Sequence, residues 1–181
     1  MILFFGPPGS GKSVQGELLV KRNNWTWLST GQMFRDSADP EVLNRLKSGE
    51  LIDDELTNKV LNQALHEVHT DGHVVLDGYP RNPAQAAWLE AQLPKHGREI
   101  HCIVVFETPK DELVRRLAGR GRTEDTPEVI AKRLDIYTHN TKPVLDFYKQ
   151  RGVQVVEVNG LGSVDVVHER IQQTVEQCLP A

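Results

Sequence analysis

Two cysteines, Cys102 and Cys178, are all that the chain carries, and they lie far apart. They make neither a disulfide framework nor a zinc quartet. They fit a reducing compartment, each read as a small buried hydrophobe. Positive charge is not in surplus either. The 21 Lys and Arg stand against 25 Asp and Glu, a net charge of −4, which argues against nonspecific nucleic-acid binding as the main role. Only five apolar residues precede the first glycine. That is too few for a signal-peptide core or a membrane-spanning helix, so the expected setting is cytoplasmic, with no membrane partner. The seven histidines (66, 69, 73, 96, 101, 139 and 168) show no metal-ligand spacing with a matching carboxylate. His66 and His69 share a helix face but read as surface residues. No internal repeat, low-complexity tract, heptad pattern or exposed apolar stripe stands out, which makes a monomer the default. What remains is 181 residues, 39% hydrophobic and 25% charged, enough for one domain (1–181) with a sizeable core.

Against that plain background one motif stands out. Residues 6–13 read Gly-Pro-Pro-Gly-Ser-Gly-Lys-Ser, directly after the apolar run Met1–Phe5 and before the helix-forming stretch Val14–Arg22. This is G-x-x-x-x-G-K-[ST] between a strand and a helix, the setting in which it cradles phosphate. Glycines let backbone N–H groups turn inward, and the helix N-terminus adds its partial positive charge. Gly9, Ser10, Gly11 and Val14 belong to this cradle. Lys12 can reach terminal phosphates, and the Ser13 hydroxyl suits Mg²⁺. A Gly/Pro turn alone would explain the glycines but not Lys-Ser at this offset.

Apolar runs recur at 1–5, 25–28, 73–76, 101–106 and 153–158, with helical patterns between them. That alternation predicts an α/β fold: a five-stranded parallel sheet flanked by helices, a three-layer sandwich of the P-loop NTPase type. Ligands in such sheets bind beyond the carboxyl ends of the strands. The phosphate loop, Ser29-Thr30-Gly31 and Asp77-Gly78-Tyr79-Pro80-Arg81 each follow a strand, so they should converge on one rim. Residues 30–58 offer helices with no strand beneath them and read as a small helical subdomain. Asp39-Pro40 should start one helix there, Ser48-Gly49 end it, and Asp53 cap the next. Residues 119–125, charged and glycine-rich, read as a short mobile lid loop, followed by the helix-start signal Asp125-Thr126-Pro127-Glu128.

Asp77, at the end of an inner strand facing the phosphate loop, is positioned for a Mg²⁺ shell. Gly78 permits close backbone approach, and Tyr79-Pro80 suits a cis bond in a tight turn. Arg81 would point back over the strand ends. Arg35 follows Ser-Thr-Gly, Arg116 and Arg120 share a helical face, Arg122 lies in the lid loop, and Arg133 sits one helix further on. Several guanidinium groups around one cleft repel each other unless polyanions sit among them, and arginine forks hold phosphate oxygens in pairs. Phosphoryl transfer needs such a set, because charge spreads over the group in flight. Arg98, Arg115 and Arg151 read as solvated. Glu124 and Asp125 read as arginine partners or caps, and Trp25, Trp27 and Trp88 as packing residues.

Together these blocks resemble the adenylate kinase family of nucleoside monophosphate kinases, short-lid type, over nearly the whole chain. The resemblance rests on Gly6 to Lys12, Ser29-Thr30-Gly31 with Arg35, Gly49 to Leu56, Leu76 to Arg81 with Gln85, Arg116 with Arg120, and Gly121 to Asp125 with Lys132-Arg133-Leu134. It implies Mg²⁺-dependent, reversible transfer between ATP and AMP, giving two ADP. It further implies that Lys12 holds the donor phosphates and that Arg35 and Arg81 grip the AMP phosphate. Thr30, Gly31, Gly78, the backbone at Leu51 and Ile52, and Gln85 would then line the AMP site. Arg116 would stack on the ATP base; Arg120, Arg122 and Arg133 would clamp the transferring phosphate; Asp77 would act through the Mg²⁺ water shell. An amide at Gln85 can pair with an adenine edge through both a donor and an acceptor.

The chain departs from the family pattern in places. Ser13-Val14 stands where Gly-Thr is usual, Gln32 replaces an Asp that holds Mg²⁺-bound waters, residues 36–48 are shorter, and the lid has no zinc cysteines. The lost carboxylate and gained hydroxyl raise the reading that Ser13 contacts the metal directly. Asn82 leans toward the pyrimidine members, which keeps a UMP/CMP kinase open. Gln32 and the shortened region keep open a regulatory nucleotide binder that has lost transfer, although such a binder needs fewer arginines.

Overall fold

Ile2–Phe5 forms strand β1, and all four residues are buried, as a run of large apolar side chains at the centre of a sheet requires. In the computed structural model, which describes every residue except 38, 69–71, 123, 124, 180 and 181, the remaining strands are β2 (Thr26–Ser29), β3 (Val74–Asp77), β4 (Cys102–Glu107) and β5 (Gln154–Asn159). All pair in parallel, in the order β2-β3-β1-β4-β5. His69 and Glu124, considered above, lie outside the described residues.

The helices are α1 (Lys12–Asn23), α2 (Thr30–Asp36), α3 (Pro40–Lys47), α4 (Asp54–Glu67), α5 (Pro83–Gln92), α6 (Lys110–Arg120), α7 (Pro127–Ile136), α8 (Pro143–Lys149) and α9 (Val164–Cys178). Alternating side chains sort the sheet into two faces. Leu3, Phe5, Leu76, Ile103 and Val105 pack with Leu61 and Leu65 of α4, Leu89 of α5 and Tyr148 of α8. Ile2, Phe4, Val75, Val104 and Phe106 pack instead with Leu19 of α1 and with Val167, Ile171 and Val175 of α9. Cys102 is fully buried in this second layer and Cys178 is half-buried at its edge, both as free thiols. Trp27 meets Phe4 edge-on with ring centroids 6.1 Å apart.

A third, smaller cluster joins Phe34 of α2, Val42 of α3 and Ile52, none of them in a strand. The capping residues explain its helices. Asp39 accepts from the backbone N–H groups of Glu41 and Val42, with Pro40 at the first helical position; Asp53 accepts from that of Leu56. Likewise Thr126 caps α7. Between α7 and α8, Tyr137–Thr141 forms one wide π-helical turn. Among the described residues no helix is long and apolar enough to cross a membrane.

Candidate active site

Strand register decides what meets at the rim. Asp77, the last residue of β3, lies opposite Phe4 of β1 on one side and Ser29 of β2 on the other. The loop after β1, the cap of α2 and the carboxylate of β3 therefore share one edge of the sheet. A cleft of about 380 Å³ opens above them.

The loop from Gly6 to Gly11 wraps one end of this cleft. Gly9 has φ of +86°, and a Cβ there would meet the Leu117 side chain at 2.9 Å and the Leu113 carbonyl at 3.0 Å, so only glycine lets the loop lie this close to α6. Lys12 opens α1 and curls over its own loop, donating to Gly6 O at 2.7 Å, Pro7 O at 3.0 Å and, more weakly, Ser10 Oγ at 3.4 Å. Burial pulls its pKa down to about 8; Asp77 opposes that shift, while Arg81, Arg133 and Arg120 add to it. Ser10 itself is buried beneath the loop.

Asp77 is buried at the floor. Its Oδ2 accepts from Ser13 Oγ at 3.3 Å and from Ser29 Oγ at 3.5 Å, while Oδ1 has no hydrogen-bond partner among the described residues. A buried carboxylate oxygen without a donor is costly unless a cation or ordered water meets it. Two hydroxyls and a carboxylate are hard oxygen ligands, so this donor set fits Mg²⁺ or its water shell. The sequence places the Ser29-Thr30-Gly31 block on this rim but assigns no contact with Asp77 to Ser29 itself. Its signal is the helix-cap pattern, since the same hydroxyl accepts from Gln32 N at 3.4 Å.

Gly78 follows Asp77 with φ of +79°, and a Cβ there would press within 2.8 Å of Thr30 Oγ1. Thr30 is buried and donates to Gly78 O at 3.0 Å, while Arg81 Nε donates to the same carbonyl at 2.7 Å. The Tyr79–Pro80 bond between them is cis. Burial lowers the Arg81 pKa, with Asp77 acting against that shift. Gln85 is 2% exposed and bonded at both ends of its amide: its Oε1 accepts from Arg81 N at 2.7 Å, and its Nε2 donates to Asp54 Oδ1 at 2.8 Å. Here it braces the Arg81 turn and does not line the cleft. Asp54, which also accepts from Asn82 Nδ2 at 3.0 and 3.1 Å, lies within the Gly49 to Leu56 block, but the sequence assigns it no role of its own there.

The far wall is cationic. Arg35 lines the cleft and donates from Nε and Nη2 to Gln32 Oε1 at 3.2 and 3.0 Å. Arg120 forms a two-bond fork with Asp125 at 2.8 and 2.7 Å, and Arg133 reaches the same carboxylate at 3.3 Å. Arg116 donates to Glu112 Oε1 at 2.6 Å, to Gly160 O at 2.9 Å and to Ser10 O at 3.5 Å, tying the phosphate loop to the turn after β5. The fork from Arg115, then that bond from Arg116, hold Glu112 down to about 2. Arg122, Gly9, Gly11, Ser13, Val14, Gly31 and Leu51 also line the cleft, whereas Ile52 belongs to the small cluster under α2 and α3. Glu50 and Lys132 pair across its mouth at 3.1 Å. Arg115 is exposed, and Arg151 lies 3.5 Å over the Phe147 ring at the surface; Arg98 is only half exposed and donates to Gly72 O at 2.9 Å.

Among the described residues, seven cationic side chains and two carboxylates, Asp77 and Glu50, line this cleft on a chain of net charge −4. So strong a local inversion is what a bound polyanion requires. The sequence relatives agree with that chemistry. The family model described as adenylate kinase matches residues 4–153. An adenylate kinase of Kocuria rhizophila is 39% identical over 97% of this chain and 98% of its own length, and one of Bifidobacterium longum is 39% identical over 94% and 96%. An adenylate kinase of Mycobacterium ulcerans is 35% identical over 95% and 97%. With phosphate loop, acidic floor and arginine wall all inside the matched span, the chain belongs to the adenylate kinase family.

Proposed function

We propose that this chain is an adenylate kinase, a cytoplasmic monomer that moves the terminal phosphoryl group of ATP to AMP and back. The observation that carries the reading is the cleft itself: two groups of cationic side chains face each other across one carboxylate floor. Lys12, Arg116, Arg120 and Arg122 stand on the phosphate-loop and α6 side, Arg35 and Arg81 on the α2 and β3 side, with Arg133 between them. Residues 30–58 act as the acceptor-binding subdomain and residues 119–125 as the short lid.

In this reading Gly9, Ser10, Gly11, Lys12, Ser13 and Val14 hold the donor phosphates, and Arg116 holds the donor base. Arg35 and Arg81 grip the acceptor phosphate, while Thr30, Gly31, Leu51, Ile52 and Gly78 shape its nucleoside side. Gln85 serves the acceptor through Arg81. Ser13 and, through water, Asp77 would hold Mg²⁺, which would supply charge neutralisation at the donor phosphates. Lys12, Arg81, Arg120, Arg122 and Arg133 orient the two phosphates in line and stabilise the charge of the group in flight. No side chain needs to form a covalent bond.

Two sites that open on one cleft can be filled by one ligand. A mimic joining two adenosines through five phosphates should bind at least about a hundredfold tighter than ATP alone, because the second contact becomes intramolecular. Binding no tighter than ATP alone would remove the paired-site reading and favour the regulatory binder.

A further inference from the structure

The turn between β5 and α9 is held by side chains from three helices. Arg170 of α9 donates from one nitrogen, Nη1, to Asn159 O at 2.8 Å and to Leu161 O at 2.6 Å. Between them, Gly160 O accepts from Arg116 of α6 at 2.9 Å. Further along, Val164 O accepts from Gln15 Nε2 of α1 at 2.8 Å, and Gln15 Oε1 lies 3.2 Å from Nδ1 of the buried His168. The turn adds its own bonds: Leu161 N donates to Asn159 Oδ1 at 2.9 Å, and Gly160 N to Glu107 O at 2.8 Å. Three consecutive carbonyls thus point at guanidinium groups. Surface turns do not ordinarily need such bracing.

What the turn borders explains the bracing. Arg116 lines the cleft and also reaches Ser10 O in the phosphate loop. After Gly160 the chain exposes Leu161 in the turn and Val164 at the start of α9, 39% and 50% exposed. A guanidinium hydrogen-bonded to a fixed backbone turn suits the face of a flat aromatic base. We propose that Arg170 is a positioning residue for the donor nucleotide: it fixes the turn against which the donor base lies, without touching the base. The inference rests on the reading of Arg116 as the donor-base arginine. Its cause is pre-organisation. A turn that visits its binding shape only part of the time weakens the apparent affinity by that fraction. Because both bonds leave one nitrogen, a lysine ammonium with three donors can replace them, whereas an uncharged stem cannot.

The test is calorimetric binding of ATP, AMP and inorganic tripolyphosphate to the full chain and its variants. Arg170→Ala should weaken ATP about three- to tenfold while AMP and tripolyphosphate, which do not reach the turn, bind as before. Arg170→Lys should restore most of the loss. ATP binding unchanged in Arg170→Ala would overturn the proposal. So would equal weakening of ATP and tripolyphosphate, or a lysine variant no better than alanine. Should alanine unfold the chain, Arg170→Met keeps the stem and is judged by the same outcomes. A wild-type chain that does not move phosphate from ATP to AMP removes the functional reading and this inference with it; a working wild type with indifferent Arg170 variants removes the inference alone.

Discussion

Asp125 offers the sharpest perturbation because it binds two of the arginines assigned to the transferring phosphate. Its side chain is 2% exposed, while those of Arg120 and Arg133 are 29% and 25% exposed. Asp125→Ala removes a two-bond fork and a third, longer bond in one step. Breaking a fully buried pair costs about 3–5 kcal/mol, since it strands a charge. Here water can reach both guanidinium groups, so about 2 kcal/mol is the reasoned loss. For a domain of this size that lowers the melting temperature by about 4–8 °C. The arginines stay but lose their orientation, and misplacement of that kind costs about tenfold to a hundredfold in turnover. Affinity should move the other way. The carboxylate competes with phosphate for the same forks, so ATP should bind the variant at least as tightly as wild type. The measurements are thermal melting, calorimetric ATP binding and steady-state turnover on one preparation. Turnover unchanged, or ATP binding weakened together with turnover, would refute the reasoning.

Other perturbations follow from single contacts. Arg81→Ala should cut turnover by about a thousandfold with the fold intact by circular dichroism; a near-normal rate would remove Arg81 from the site. Gly16→Ala places a Cβ 1.9 Å from the Trp27 ring and should destabilise by about 1–3 kcal/mol in urea unfolding, with an unchanged midpoint contradicting the packing described. Acid stability carries a sign. Burial, then Arg22, pull the pKa of His168 below its usual value, and burial acts first on His73, His96 and His101 in the same direction. The unfolded chain therefore takes up these protons first as pH falls. The histidine contribution to stability is full above about pH 6.5 and declines below it, by at most about 1.4 kcal/mol per pH unit for each histidine. His168→Gln should flatten that decline by up to one proton, and a parallel profile would clear His168 of a part in it.

Much of the fold was legible because its signals are local. Each predicted strand lies within one residue of the observed one, since a short apolar run bounded by polar residues has few alternatives in an α/β chain. The cap at Asp53, the helix start at Asp39-Pro40 and the start signal at 125–128 were legible for the same reason, although which residue of that last signal caps α7 was not. Convergence of the phosphate loop, Ser29 and Asp77 follows from parallel strands whose carboxyl ends share one rim. What could not be read are contacts made by residues distant in sequence. Gln85 suits an adenine edge by its chemistry, but the bond that one of its amide N–H groups makes to Asp54 on the preceding helix could not be read. His168 is one histidine of seven with no distinguishing pattern, but the fold buries it against Gln15. The bracing of 159–164 from α1, α6 and α9 exists only once those helices are packed.

The central claim is direct transfer between two nucleotides in this cleft, and a coupled assay of ADP formation tests it most simply. Purified chain receives ATP with AMP, UMP or CMP, with and without Mg²⁺. The account predicts two ADP formed for each ATP and AMP consumed, dependence on Mg²⁺, and AMP preferred over both pyrimidine nucleotides. Preference for UMP or CMP would reassign the acceptor side, and tight ATP binding with no product from any acceptor would contradict the account outright.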